Sequence, residues 1–160
     1  MPKITLILHN IRSTYNVGAI FRSAEGFGVE KIILTGYTPY PSYDGDSRLP
    51  HLADKITNQI HKTALDAESM VPFEYHDNLL TWFAHNTLPV VALEQADSSI
   101  PISEYSPPTS FCLLLGEEVH GIEPELLHMA DAIVEIPMVG KKESFNVSVA
   151  AGIALYALSQ

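Results

Sequence analysis

Five short apolar runs decide what this chain can fold into. They are Ile4–Leu8, Lys31–Leu34, Pro89–Leu93, Phe111–Leu115 and Ala132–Ile136. Each is continuous rather than alternating, which suits strands covered on both faces. Helical stretches separate them. Asn16 is placed to cap a helix from Val17 to about Gly26, with Gly26 or Gly28 closing it. Residues 52–66 and 78–86 read as two more, Glu123-Pro124-Glu125 opens a short fourth, and a last one runs from about Asn146 to Leu158. Strands alternating with helices over 160 residues predict one α/β domain with a mostly parallel sheet flanked by helices. Residues Gly36–Pro50 hold three Pro, two Gly and three Tyr, so they read as a long irregular loop, either a connector or a segment ordered by substrate.

The last helix carries almost no polar face: Val147, Val149, Ala151, Ile153, Leu155 and Leu158 run round it. A helix apolar on all sides is buried on all sides. For a terminal element this points to a second subunit, and so to a homodimer through the C-terminal helix; insertion into the domain centre is the alternative. The single cysteine, Cys112, excludes a disulfide framework and a cysteine-cluster metal site, and fits a reducing, cytoplasmic compartment. No apolar run approaches the roughly 18 residues of a membrane span, and the first is too short for a secretory signal.

Nineteen acidic residues against nine basic give a net charge of −10, which taken alone argues against a nucleic-acid partner. The charge is unevenly spread. Residues 1–40 hold Lys3, Arg12, Arg22 and Lys31 against Glu25 and Glu30.

The common chemical signatures are absent: no Walker A loop, no dinucleotide fingerprint after the first strand, no GxSxG elbow. The seven histidines show no metal spacing and read mostly as surface or capping residues, so no metal is expected. Three segments stand out, each just after a strand, where open α/β sheets bind ligands. Asn10–Gly28 sets Asn16, Arg12 and Arg22 around a helix start, a way of reading phosphate or a capped surface helix. Leu113–Ile122 puts Gly116 and the carboxylates Glu117 and Glu118 before a tight turn at Gly121. Ile136–Ser148 carries Lys141 and Lys142, then Ser144 and Asn146 at a helix start.

In order and wording, Asn16-x5-Arg22, Gly116-Glu117-Glu118-x2-Gly121 and Ile136-Pro137-Met138-x5-Ser144-Phe145-Asn146-Val147-Ser148 resemble the three motifs of the SpoU/TrmH family of RNA ribose 2′-O-methyltransferases, the SPOUT class. Lys62-Thr63-Ala64-Leu65 and Ala92-Leu93-Glu94-Gln95 are smaller echoes, and the likeness spans essentially the whole chain. It implies a C-terminal trefoil knot, a homodimer, and S-adenosyl-L-methionine as cofactor. By position, Leu93, Gly116, Ile136, Met138 and Phe145 match cofactor contacts, with Phe145 standing where the family usually has Leu. Arg22 matches the arginine regarded as catalytic, and Asn16, Glu118, Ser144 and Asn146 the other polar motif positions. Residues 1–160 are expected to form one methyltransferase domain with no appended RNA-binding domain, leaving Arg12, Arg22, Arg48, Lys141 and Lys142 to hold RNA.

That reading favours tRNA over ribosomal RNA, with a basic accessory protein as a further partner for so acidic a chain and no membrane partner. Competing readings are a ribosomal RNA enzyme, a non-catalytic RNA-binding paralogue, a small-molecule enzyme on the same scaffold, and a plain nucleotide-binding domain.

Overall fold

The computed structural model describes all residues, 1–160. The chain runs β1 (Lys3–His9), α1 (Thr14–Gly26), β2 (Lys31–Thr35), α2 (Pro50–Ala64), α3 (Ala67–Met70), β3 (Phe73–His76), α4 (Leu79–Phe83), β4 (Val90–Leu93), β5 (Ile100–Pro101), β6 (Ser110–Leu115), α5 (Pro124–Met129), β7 (Ala132–Glu135) and α6 (Val147–Leu158). The seven strands form one sheet in the order β3-β2-β1-β6-β4-β7-β5, every pair parallel. No helix is long and apolar enough to cross a membrane.

The continuous apolar runs follow from this layering. Leu6, Leu8, Ile32, Leu34, Leu113 and Leu115 point to one face, beneath α1, α2 and α6. The alternate residues Ile7, Ile33, Cys112 and Leu114 point to the other, against Leu79, Phe83 and Leu126. A strand whose two sides both meet helices has no polar position to alternate with.

Several expectations are corrected. The cap of α1 is Ser13, whose Oγ accepts the backbone N–H of Asn16 at 3.2 Å, so the helix starts a turn earlier and the Asn16 side chain is free for other partners. The stretch 52–66 is two helices, because Leu65 (φ 51°) and Asp66 (φ 77°) turn left-handed between α2 and α3. Strands β3 and β5 lie outside the five apolar runs, since Phe73–His76 carries Glu and His among its aromatics and Ile100–Pro101 spans two residues. His9 is no surface residue: its ring is buried, with Nδ1 2.8 Å from Thr35 Oγ1 and Nε2 3.3 Å from Glu123.

The Gly36–Pro50 loop is irregular but internally fastened. Arg48 pairs with Asp46, donates to the carbonyls of Tyr40 (3.0 Å) and Pro41 (3.1 Å), and lies 3.6 Å over the Tyr40 ring, which stacks on Tyr75. This arginine holds the loop together and has few donors left for RNA. Helix α6 buries Val147, Ala151, Ala154, Leu155 and Leu158 against its own domain, while Val149 and Tyr156 stay 49% and 63% exposed. The apolar helix is therefore covered on one side only within the protomer.

Candidate functional site

The strand order reverses at β1, which has β2 on one side and β6 on the other. At such a switch point the loops leaving the carboxyl ends diverge and leave a crevice. A cavity of about 300 Å³ opens beside this point, lined by the loops after β6, β4 and β7 and by the start of α6. Leu93, Leu115, Ile136, Met138, Phe145 and Val147 supply apolar wall, and Glu94, Glu117, Glu118, Glu135 and Glu143 supply carboxylates. No lysine or arginine lines it. The five positions read by resemblance as cofactor contacts all face this space, and so do Glu118 and Ser144.

The three motifs meet at its mouth through side-chain hydrogen bonds. Asn146 Nδ2 donates to Asn16 Oδ1 (3.2 Å), and Asn16 Nδ2 donates to Glu118 Oε1 (3.4 Å). Glu118 Oε2 also accepts the Arg12 backbone N–H at 3.4 Å. Asn146 caps α6, its Oδ1 accepting from Ser148 N (2.9 Å) and Oγ (2.6 Å). One asparagine thus starts a helix and ties it to α1, across 130 residues of chain.

The two adjacent carboxylates diverge. Glu117 turns back into its own loop, accepting the His120 backbone N–H, and is 7% exposed. That bond holds its carboxyl below the usual carboxylate range, against the opposing effect of burial. Its Oε1 is buried without a hydrogen bond, and the Arg12 guanidinium lies 3.5 Å away as a loose ion pair. The space a side chain would fill at Gly116 is occupied by Ile122 and Gly121 of the same chain. Gly116 therefore lets two backbone segments pack where they form the cavity wall.

Arg22 lies in the body of α1, exposed and outside the cavity lining. Six residues is not a helical repeat, so Arg22 stands about 120° round the helix from Asn16. Lys141 and Lys142 are exposed on the loop between β7 and α6. Glu94 and Gln95, which the sequence places only in a smaller echo and gives no role, brace the site. Glu94 Oε2 accepts the Ile122 N–H (2.9 Å), bracing the turn after β6, and Gln95 Nε2 donates to the Glu143 carbonyl (2.9 Å), tying down the loop after β7. Their signal was present in Ala92-Leu93-Glu94-Gln95, a strand end carrying two polar residues.

This parallel α/β domain carries an acidic, partly apolar cavity beside its switch point, a setting that suits a small cationic or amphipathic ligand. Its sequence says which domain: residues 3–156 match the model of the SpoU rRNA Methylase family, and the chain belongs to that family. It is 30% identical to a tRNA (guanosine(18)-2′-O)-methyltransferase of Escherichia coli (strain K12), over 97% of this chain and 62% of that protein. It is also 30% identical to a 23S rRNA (guanosine-2′-O-)-methyltransferase of Coxiella burnetii, over 97% of this chain and 57% of the other. An AdoMet-bound rRNA methyltransferase from Sinorhizobium meliloti has the same fold, with a TM-score of 0.78 at 23% identity, over 97% of this chain and 55% of that one. The chain thus spans about three-fifths of the length of the curated relatives it matches.

Proposed function

We propose that this chain is an S-adenosyl-L-methionine-dependent RNA methyltransferase acting on a ribose 2′-hydroxyl, with tRNA its favoured substrate. The observation that carries the reading is the bond series Glu118–Asn16–Asn146, which gathers all three motifs at the mouth of one acidic cavity. The cavity fits the cofactor's chemistry: a sulfonium and an ammonium suit a space lined by five carboxylates and no cation, and a flat purine suits its apolar wall. Leu93, Ile136, Met138 and Phe145 would hold it, and when bound it supplies an already activated methyl group.

What remains for the protein is alignment and removal of one proton. Glu118 is the carboxylate at the mouth able to accept that proton, directly or through a water, while Asn16 fixes its direction. Ser144, exposed on the cavity rim, is placed to bond the ribose. Arg22 carries donors and no acceptor, so its role is to anchor the phosphate beside the target ribose. Because it lies outside its own protomer's cavity, that role fits RNA held between two copies, paired through the bare Val149–Tyr156 side of α6. Exposed Lys141 and Lys142 supply further phosphate contacts.

The test is transfer of a tritiated methyl group to bulk tRNA from a strain lacking ribose methylation, with ribosomal RNA in parallel. Transfer to tRNA supports the reading, and transfer to neither RNA refutes it. Arg22→Ala should abolish transfer and leave cofactor affinity intact by calorimetry. A loss of cofactor affinity would overturn the phosphate role.

A further inference from the structure

Tyr37 and Arg12 form an open pair on the same sheet edge as the cavity. From β2 across to β7, the carboxyl ends carry first Tyr37, then Asn10 and Arg12, then Glu117 and Glu118, then Glu94, then Ile136 and Met138. The half over β6, β4 and β7 is acidic and concave. The half over β2 and β1 presents an arginine and a tyrosine.

Tyr37 is 53% exposed, yet its backbone is pinned. Its N–H donates to Asn10 Oδ1 at 3.1 Å. Asn10 holds a left-handed backbone (φ 57°), and its amide fills the space beside Gly36 (φ 66°) that any side chain there would claim. Asn10 Nδ2 is fixed in turn, 3.2 Å from His9 Nε2 and 3.5 Å from Glu123 Oε1. One left-handed asparagine, packed on a left-handed glycine, thus fixes the backbone of an aromatic residue that stands in solvent, where burial returns nothing for it.

The Arg12 guanidinium lies over this ring at 5.7 Å from its centroid, and the Arg12 side chain is 64% exposed. The comparison within the chain is Arg48 over Tyr40: 3.6 Å, 18% exposed, donors spent on Asp46 and two carbonyls. That pair is closed and structural. Arg12 is committed less: it faces Tyr37 and makes one loose 3.5 Å pair with the buried Glu117 carboxylate, and its exposed guanidinium keeps donors for a phosphate.

We infer that Tyr37 is a stacking platform for an unpaired nucleobase of the RNA substrate, with Arg12 taking the phosphate beside it. An exposed ring on a pinned backbone offers a π-face to any base, and unpaired bases next to a target ribose are what such faces recognise in RNA. The site rests on the proposed RNA methyl transfer for its biological setting. It explains how a chain of net charge −10 binds RNA near an acidic cavity: part of the hold is stacking, which needs few cations. Asn10 is its positioning residue.

The test separates stacking from charge. Binding of a fluorescein-labelled, unstructured eight-nucleotide RNA and of an RNA duplex is measured by anisotropy for wild type, Tyr37→Ala, Tyr37→Phe, Tyr37→Trp and Arg12→Ala. Tyr37→Ala should weaken the single strand on the order of 10-fold and leave the duplex within about twofold. Phe and Trp, keeping a ring, should bind as tightly as Tyr. Arg12→Ala should lower the slope of log affinity against log salt by about one for the single strand. Thermal unfolding of Tyr37→Ala at the wild-type midpoint shows the fold intact. The inference is overturned if Tyr37→Ala binds the single strand like wild type, if it loses duplex equally, or if Phe fails as Ala does. In methyl transfer to tRNA, Tyr37→Ala should raise KM with cofactor affinity unchanged. A wild-type protein that binds the oligonucleotide through Tyr37 but transfers no methyl group would sink the proposed activity and leave the platform standing.

Discussion

Replacing Gly116 by alanine tests whether the cavity wall is set by two backbone segments packed without a side chain between them. The φ of Gly116 is not in the left-handed region, so alanine can adopt the backbone and the cost is steric alone. The added Cβ would lie 2.5 Å from Ile122 Cγ1, 2.8 Å from the Gly121 carbonyl carbon and 2.9 Å from its oxygen. Ordinary contact begins near 3.5 Å, so the Gly121–Ile122 segment must retreat by roughly 0.6 to 1 Å. Ile122 is buried and has little room to turn away. The segment is also tethered: Gly121 N–H donates to Glu117 O and Ile122 N–H to Glu94 Oε2, both at 2.9 Å. Overpacking of this kind costs about 1–3 kcal/mol. Part is lost from folding, and part from binding, because Gly121 and Glu117 line the cavity and Glu94 would move with them. If all of it fell on binding, cofactor affinity would drop by about 5- to 150-fold. Calorimetric titration with S-adenosylhomocysteine and thermal unfolding of the same preparations read the two shares. An alanine variant with Kd within about twofold of wild type and an unchanged Tm would refute the steric account.

Gly18→Ala should destabilise the fold by about 1–3 kcal/mol in urea unfolding, since its Cβ would collide with the Ile60 carbonyl and Thr63 Oγ1 where α1 packs on α2; an unchanged midpoint contradicts that packing. The stability gap between wild type and Glu117→Gln should be constant above about pH 5 and shrink below about pH 4.5, because a carboxyl whose folded pKa is depressed contributes above its unfolded value and loses that as pH falls through the folded one; a gap that widens on acidification reverses the sign and fails the reading. Burial pushes the Cys112 thiol up to about 12, so iodoacetamide at neutral pH should label the protein only in denaturant, and rapid labelling of the native state counts against its placement.

The sheet was legible because five runs obey one rule, apolar on both faces, and each became a strand within a residue or two of its expected bounds. The edge strands were not, since β3 and β5 meet the core on fewer sides and tolerate Glu74, His76 and Pro101. The cap of α1 was misplaced for a local reason: Ser13 and Asn16 are both good caps, and only the fold reveals that Asn16 is occupied 130 residues away. Motif order named Asn16, Glu118 and Asn146, which hydrogen bonds link in the fold, but could not show that Glu117 turns into its own loop or that Glu94 braces the turn, because those roles are settled by which carboxylate finds a backbone N–H.

The charge of the chain is best understood along the carboxyl edge of the sheet rather than as a total. The proposed cationic cofactor and anionic substrate make opposite demands, and a single uniform field would reject one of them. Strand order resolves the conflict in space. Loops after β6, β4 and β7 converge five carboxylates on the cavity, while the loop after β1 next door carries Arg12. The seam between the halves is bonded rather than repulsive, with the Arg12 backbone N–H on Glu118 and its guanidinium near Glu117. Both carboxylates come from one loop and the arginine from the neighbouring strand's loop, so a parallel pairing of β1 with β6 suffices to set the two fields side by side. A net charge of −10 is then compatible with an RNA substrate, because the negative residues facing the site are turned into a cavity that RNA phosphates need not enter.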